Sequence, residues 1–394
     1  MAEKKGASYL TGRESGKISR LNRKIMRKLE RGRRRKNVDP AYYAAQMRDD
    51  NNVVEIDDVC SFFFTDVGIV RAVDGVSFDV PKRTVVGVVG ESGCGKSVLS
   101  LSIMQLLQRP QGQTVNGEIR FNPGNGTAYD IVKTPTEEMM HIRGNKISMI
   151  FQEPMTSLNP VFRCGAQIDE VTALHELCAT KEDLKKRTIE MLDLVGIANS
   201  EGVYNMYPHE LSGGMRQRVM IAMALACGPE LIIADEPTTA LDVTIQAQIL
   251  DLLVELKDRI NSSIMLITHD LGVIAQVAEF LVVMYAGRIV EKGGTHDIFH
   301  SAAHPYTLGL MKSKPKTGNR SDALYNIPGS VPNPIDMPDY CYFRDRCEMR
   351  VERCNGGYPP EIKINDTHIV SCWRFFETGE VLRYPKTITV EDLL

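Results

Sequence analysis

The run Gly90-Glu91-Ser92-Gly93-Cys94-Gly95-Lys96-Ser97 constrains this chain more than any other stretch. It fits G-x-x-x-x-G-K-[ST], a loop whose backbone amides cradle phosphates. Before it, Val85-Val86-Gly87-Val88-Val89 is apolar and β-branched, as a buried strand should be. After it, Val98 to Leu107 is apolar at helical spacing. Strand, glycine loop and helix in that order are the context the motif requires, and they weigh against a glycine turn with a chance lysine. Gly90, Gly93 and Gly95 let successive N–H groups point at a phosphate chain. The positive end of the helix favours the same anion. Lys96 is expected to reach the β- and γ-phosphates and Ser97 to ligate Mg2+. Ser92, Cys94 and Val98 complete the expected binding loop.

A chain of 394 residues has room for two or three domains. No apolar run reaches the ~18–20 residues that span a bilayer, and the basic N-terminus lacks the apolar core of a secretory signal. The chain therefore reads as cytosolic, where nine cysteines argue against a disulfide framework. Residues 1–50 are dense in Lys and Arg, with Leu21, Ile25 and Leu29 at i, i+4, i+8. They read as a flexible extension or a short basic amphipathic helix, suited to anionic lipid or nucleic acid. Pro40 marks a boundary.

Val53-Val54-Glu55-Ile56 and Val76-Ser77-Phe78-Asp79-Val80 read as antiparallel strands, with Phe62, Phe63 and Phe64 as an aromatic cluster between them. Ile147 to Gln152 reads as a buried strand ending on a glutamine, followed by a loop bounded by prolines. Residues 165–198 read as helical, and Ser212 is a plausible N-cap for a helix after it. Leu231-Ile232-Ile233-Ala234-Asp235-Glu236 is a buried strand with two carboxylates at its C-terminal end, where open parallel sheets bind ligands. A helix through Lys257 follows, then the strand Ile264 to Thr268, then His269. Val282 to Tyr285 is the last clear strand. The alternation predicts an α/β fold with a largely parallel sheet. From about residue 311 prolines mark a linker or extended segment. Asp235 fits a Mg2+ carboxylate and Glu236 a base that polarises water.

Leu211-Ser212-Gly213-Gly214-Met215-Arg216-Gln217-Arg218 resembles the signature of ATP-binding-cassette ATPases. Gln152 matches that family's glutamine loop, Asp242 its aspartate loop and His269 its switch histidine, in order, over residues 53–300. The resemblance implies a RecA-like parallel sheet core, an antiparallel β subdomain and an α-helical signature subdomain, over residues 51–310. It implies head-to-tail pairing, with each ATP held by one domain's phosphate loop and the other's signature. Ser212, Gly213, Gly214, Gln217 and Asp242 are then nucleotide contacts. Gln152 joins Ser97 and Asp235 at Mg2+, and Glu236, His269 and Gln152 form the catalytic set. Phe63 is the expected adenine-stacking aromatic, with Phe62 and Phe64 as alternatives.

Tyr207-Pro208-His209-Glu210, His304-Pro305-Tyr306-Thr307 and Ile327-Pro328-Gly329-Ser330-Val331-Pro332 narrow the resemblance to the D-type ATPase subunit of dipeptide and oligopeptide permeases. This adds a small cysteine-rich C-terminal extension over residues 311–394. There Cys341, Cys347, Cys354 and Cys372 are separated by five, six and seventeen residues, wider than usual zinc spacings. The residues alone leave a [4Fe–4S] cluster, zinc and unligated thiols open; the resemblance implies the cluster. Arg344, Arg346, Arg350 and Arg353 are placed to offset its charge. The function implied is the ATP-driven motor of a peptide importer at the cytoplasmic face of the membrane. Its partners would be a second ATPase subunit, two permease subunits and, indirectly, a solute-binding protein. The alternatives are a non-transport ATPase acting on nucleic acid or ribosomes, and an importer of nickel or another small solute.

Overall fold

The computed structural model describes residues 10–33, 35–124, 126–153, 157–175, 177–178, 180–239, 241–313, 325–335 and 337–394. Among these, five parallel strands form one side of a nine-stranded sheet. Their order is Phe280–Tyr285, Val85–Val89, Ser263–Thr268, Leu231–Asp235 and Ile147–Ile150. The middle three are buried throughout. That is why they read as continuous apolar runs rather than alternating ones.

The register decides what meets at the sheet's edge. Val89 lies opposite Thr268, Asp235 opposite Ile267, and Ile150 opposite Ala234. The phosphate loop, Gln152, Glu236 and His269 therefore leave the sheet at nearly the same level. The helices Cys164–Leu174, Lys181–Leu194 and Gly213–Leu225 pack through Ile168, Met191, Leu192, Val219 and Ile221 into one core with the sheet. The stretch expected to be helical over 165–198 is thus two helices. Thr180 caps the second by accepting from the Asp183 N–H.

A second, five-stranded antiparallel sheet carries Asn52–Phe64 paired with Ile69–Pro81 and with Gly112–Phe121. Across its outer face lies the helix Gly12–Arg33. Thr11 and Glu14 close its start as a reciprocal capping box. Ile25 is fully buried against Phe62, Phe64, Ile388 and Leu393, and burial of such a side chain contributes about 1.5–3 kcal/mol. Asn22 donates to the Thr65 carbonyl and Arg33 to that of Thr114. Of the two expected forms of this stretch, a flexible extension or a short amphipathic helix, residues 12–33 take the helix, docked on the sheet.

Val282–Tyr285 is not the last strand. Arg288–Gly294 continues the sheet, and the short strands Ile369–Val370, Glu361–Lys363 and Glu380–Arg383 extend it into the C-terminal extension. The join is ionic as well as apolar. Arg288 pairs with buried Asp74 at 2.8 Å, Tyr342 donates to the same carboxylate at 2.7 Å, and the guanidinium sits 4.3 Å over the Tyr358 ring. Residues 154–156 of the loop expected after Gln152, and Pro315 of the expected linker, lie outside the described residues.

Candidate functional site

The phosphate loop joins the buried strand Val85–Val89 to the helix Lys96–Ile103. Gly93 and Gly95 have φ of +78° and +99°, and a Cβ on Gly95 would stand 2.1 Å from the Ala72 carbonyl oxygen. Only glycine fits there. The Lys96 ammonium is buried and donates to the carbonyls of Gly90 and Glu91 at 2.8 and 3.1 Å. Ser92 is exposed, whereas Cys94 is buried and Val98 packs on the core. Burial pushes the Cys94 thiol up, so it stays neutral.

Asp235 ends its strand 5% exposed. Burial raises its pKa, a hydrogen bond from Ser97 opposes that, and neighbouring Glu236 raises it further. Its Oδ1 is buried without a hydrogen-bond partner. A serine hydroxyl and an unpartnered carboxylate oxygen beside a phosphate loop are the hard donors Mg2+ takes, and such sites leave the remaining positions to water and phosphate. The residues present fit that ion.

Glu236 adopts a left-handed φ of +48° and is fixed by its N–H to the Ile267 carbonyl at 2.8 Å. Non-glycine residues held in this region cluster at functional sites. Its Oε2 accepts from Gln152 Nε2 at 2.9 Å and from the Thr239 hydroxyl at 3.0 Å. Its Oε1 lies 3.3 Å from His269 Nδ1, on a ring 63% exposed. Three strand ends thus bring the three expected catalytic residues into one hydrogen-bonded set. Thr239 was not expected; only its position three residues after Glu236 hinted at it. Gln152, expected also as a Mg2+ ligand, turns its amide nitrogen to Glu236.

Ser212 caps Gly213–Leu225 by accepting from the Met215 N–H, with Gly213 exposed beside it. Asp242 likewise caps Val243–Ile260, accepting from the Thr244 and Ile245 amides. Gln217, on the helix that Ser212 caps, is 1% exposed, and its Nε2 is buried without a hydrogen-bond partner. Phe62 and Phe64 are buried under the N-terminal helix, while half-buried Phe63 points to the opposite face of the strand. Of the three, only Phe63 keeps surface to offer an adenine ring.

Cys341, Cys354 and Cys372 are buried and Cys347 half-buried. Burial, then the neighbouring Cys372, Cys354 and Cys347, push Cys341 up to about 12; burial and two of the same neighbours push Cys372 up to about 11. The four residues are gathered, yet among the described residues no group of three or more His, Cys, Asp or Glu side chains could hold a metal ion. This geometry shows neither the [4Fe–4S] cluster nor the zinc alternative. Burial and the neighbouring thiols disfavour the thiolate at Cys341, Cys347 and Cys372. Three of the four arginines expected to offset charge here are spent on carboxylates: Arg344 on Asp345, Arg346 on Glu91 and Arg353 on Glu377. Arg350 and Arg374 act on Cys347.

The family model for ABC transporters matches residues 73–239, and that for the oligopeptide/dipeptide transporter C-terminal region matches residues 290–354. A probable peptide ABC transporter ATP-binding protein of Sinorhizobium fredii is 48% identical, covering 82% of this chain and 95% of its own. The oligopeptide transport ATP-binding protein AppD of Bacillus subtilis is 45% identical over 84% of this chain and 98% of its own. The solved dimeric cassette MJ0796, a bacterial ABC transporter cassette, superposes with a TM-score of 0.54 at 27% identity, covering 61% of this chain and 98% of that one.

Proposed function

The chain belongs to the ATP-binding proteins of peptide ABC transporters, and from that premise we propose that it is the ATP-hydrolysing motor of a peptide importer. The observation that carries the reading is the convergence of Gln152, Glu236 and His269 beside the phosphate loop and the Ser97–Asp235 contact. In this reading the amides of residues 90–97 and Lys96 grip the triphosphate. Ser97 and Asp235 hold Mg2+, which when bound neutralises charge on the β- and γ-phosphates. Glu236 accepts the proton of the attacking water, Gln152 and Thr239 fix its carboxylate, and His269 reaches toward the γ-phosphate. Phe63 stacks on adenine.

Membership of this family implies dimerisation and membrane permease partners. Ser212, Gly213 and Gly214, at the N-terminus of a thirteen-residue helix, supply the anion contact that closes over a partner's ATP. Asp242, capping the neighbouring helix, sits beside that seam. Among the described residues no helix is long and apolar enough to cross a membrane. The subunit is assigned to the permeases' cytoplasmic face as a peripheral component, with a like or unlike ATPase as companion. The test is reconstitution. Co-expressed with permeases and companion ATPase, the subunit is expected to co-purify with them and hydrolyse Mg–ATP faster when binding protein and peptide are added. An ATPase that ignores both is no importer motor.

For Cys341, Cys347, Cys354 and Cys372 the [4Fe–4S] cluster enters as a proposal. Its support is the donor set: four thiols gathered in a segment with little core of its own, with Arg350 and Arg374 acting on one of them. Such a cluster, when bound, staples its segment. Protein purified without oxygen is expected to show sulfur-to-iron absorbance, lost in Cys347→Ser. A colourless wild type removes the cluster.

A further inference from the structure

Resting on the reading that residues 90–97 hold the triphosphate, we propose that Arg346 of the C-terminal extension is a positioning residue for ATP. It neutralises Glu91 and fixes the front of the phosphate loop. Glu91 occupies a position the loop motif leaves unspecified, and a bare carboxylate there would face the incoming phosphates. Arg346 takes it in a two-pronged grip, Nη1 at 2.7 Å from Oε2 and Nη2 at 3.0 Å from Oε1. This planar fork is the geometry in which arginine binds a carboxylate most strongly. The Arg346 side chain is only 7% exposed, and its remaining hydrogen bonds go to the carbonyls of Pro328 and Ile327 and the hydroxyl of Tyr285. The guanidinium therefore arrives pre-aimed.

Glu91 is held at its other polar atoms too. Its N–H donates to the Tyr306 hydroxyl at 2.8 Å, and its carbonyl accepts from Lys96 at 3.1 Å. One residue of the loop is thus tied to the extension by its side chain, to a buried tyrosine by its amide and to the phosphate-binding lysine by its carbonyl. Arg346 itself ends the single helical turn Arg344–Arg346, which lies between Cys341 and Cys347. The extension reaches the nucleotide through this turn. Without Arg346 the loop loses a fixed wall, and the Glu91 charge in a partly desolvated position works against a polyanion.

The experiment uses the full chain and equilibrium titration with a fluorescent ATP analogue and Mg2+. Arg346→Met is expected to weaken binding about tenfold, the effect of one charge-assisted contact. Read as a cycle, Arg346→Met is expected to cost less than about threefold when it is added to Glu91→Gln, because the repulsion is gone. Wild-type affinity in Arg346→Met overturns the inference. So does an undiminished cost of Arg346→Met when it is added to Glu91→Gln, which would mark a purely structural arginine. If Arg346→Met cannot be purified folded, Arg346→Gln is read against Arg346→Lys: a weak Gln variant beside a near-normal Lys variant supports the inference, and equal affinities overturn it. A wild type that binds no Mg–ATP instead overturns the nucleotide-site reading itself.

Discussion

Glu236→Gln is expected to bind Mg–ATP within about twofold of wild type while turnover falls by about 10²–10⁴-fold, the contribution of a positioned general base. The substitution is nearly isosteric. An amide oxygen at the same place still accepts from Gln152 Nε2 and the Thr239 hydroxyl, so the constellation keeps its shape. What is lost is the capacity to take a proton from water. The variant also removes the negative charge that raises the pKa of Asp235. Asp235 becomes easier to ionise, and Mg2+ binding is not weakened. Single-turnover hydrolysis set against equilibrium binding separates the two effects. Undiminished turnover takes the base role from Glu236. Lost binding would mean the carboxylate is structural.

The phosphate loop was legible because everything it needs is local: a buried strand, three glycines and the start of a helix within a short stretch of sequence. Asp235 and Glu236 were legible for the same reason, as carboxylates at the end of an apolar strand. The meeting of Gln152, Glu236 and His269 was not. It depends on the register of Leu231–Asp235 between two strands far apart in sequence, and only the resemblance pointed to it. The N-terminal helix was legible only as one of two alternatives, because its many cations offset the stripe of Leu21, Ile25 and Leu29. The stripe's partners, Phe62 and Phe64, are not neighbours in sequence. The strand Arg288–Gly294 was passed over because Arg288, Glu291 and Lys292 look like surface residues. Each is buried against a distant partner, respectively Asp74, His368 and Glu361. The burial of Gln217 is likewise not readable from the signature it lies in. Buried charge and side-chain direction are thus the parts that local sequence hides.

Lys96→Ala is expected to weaken ATP binding at least about 100-fold, since two or more charge-assisted hydrogen bonds to phosphate are lost together. The structure adds a second cost. Lys96 is 5% exposed, and its ammonium spans the loop from the Gly90 carbonyl to that of Glu91. Alanine leaves both carbonyls without this donor and removes the brace that keeps the loop open around its own amides. The fold itself does not depend on the brace. The loop is carried by Val85–Val89, fully buried and paired on both sides, and by helix residues such as Leu99 and Ile103 in the core beneath. The variant is therefore expected to melt within a few degrees of wild type. Lys96→Arg is expected to give no rescue: a planar guanidinium is larger than the ammonium and does not match a nest shaped for a point charge. Titration of Lys96→Ala and Lys96→Arg with the fluorescent ATP analogue and Mg2+, beside thermal unfolding, decides the matter. If either variant binds with wild-type affinity, the phosphates are held by the loop amides alone, and the buried ammonium is only a structural brace.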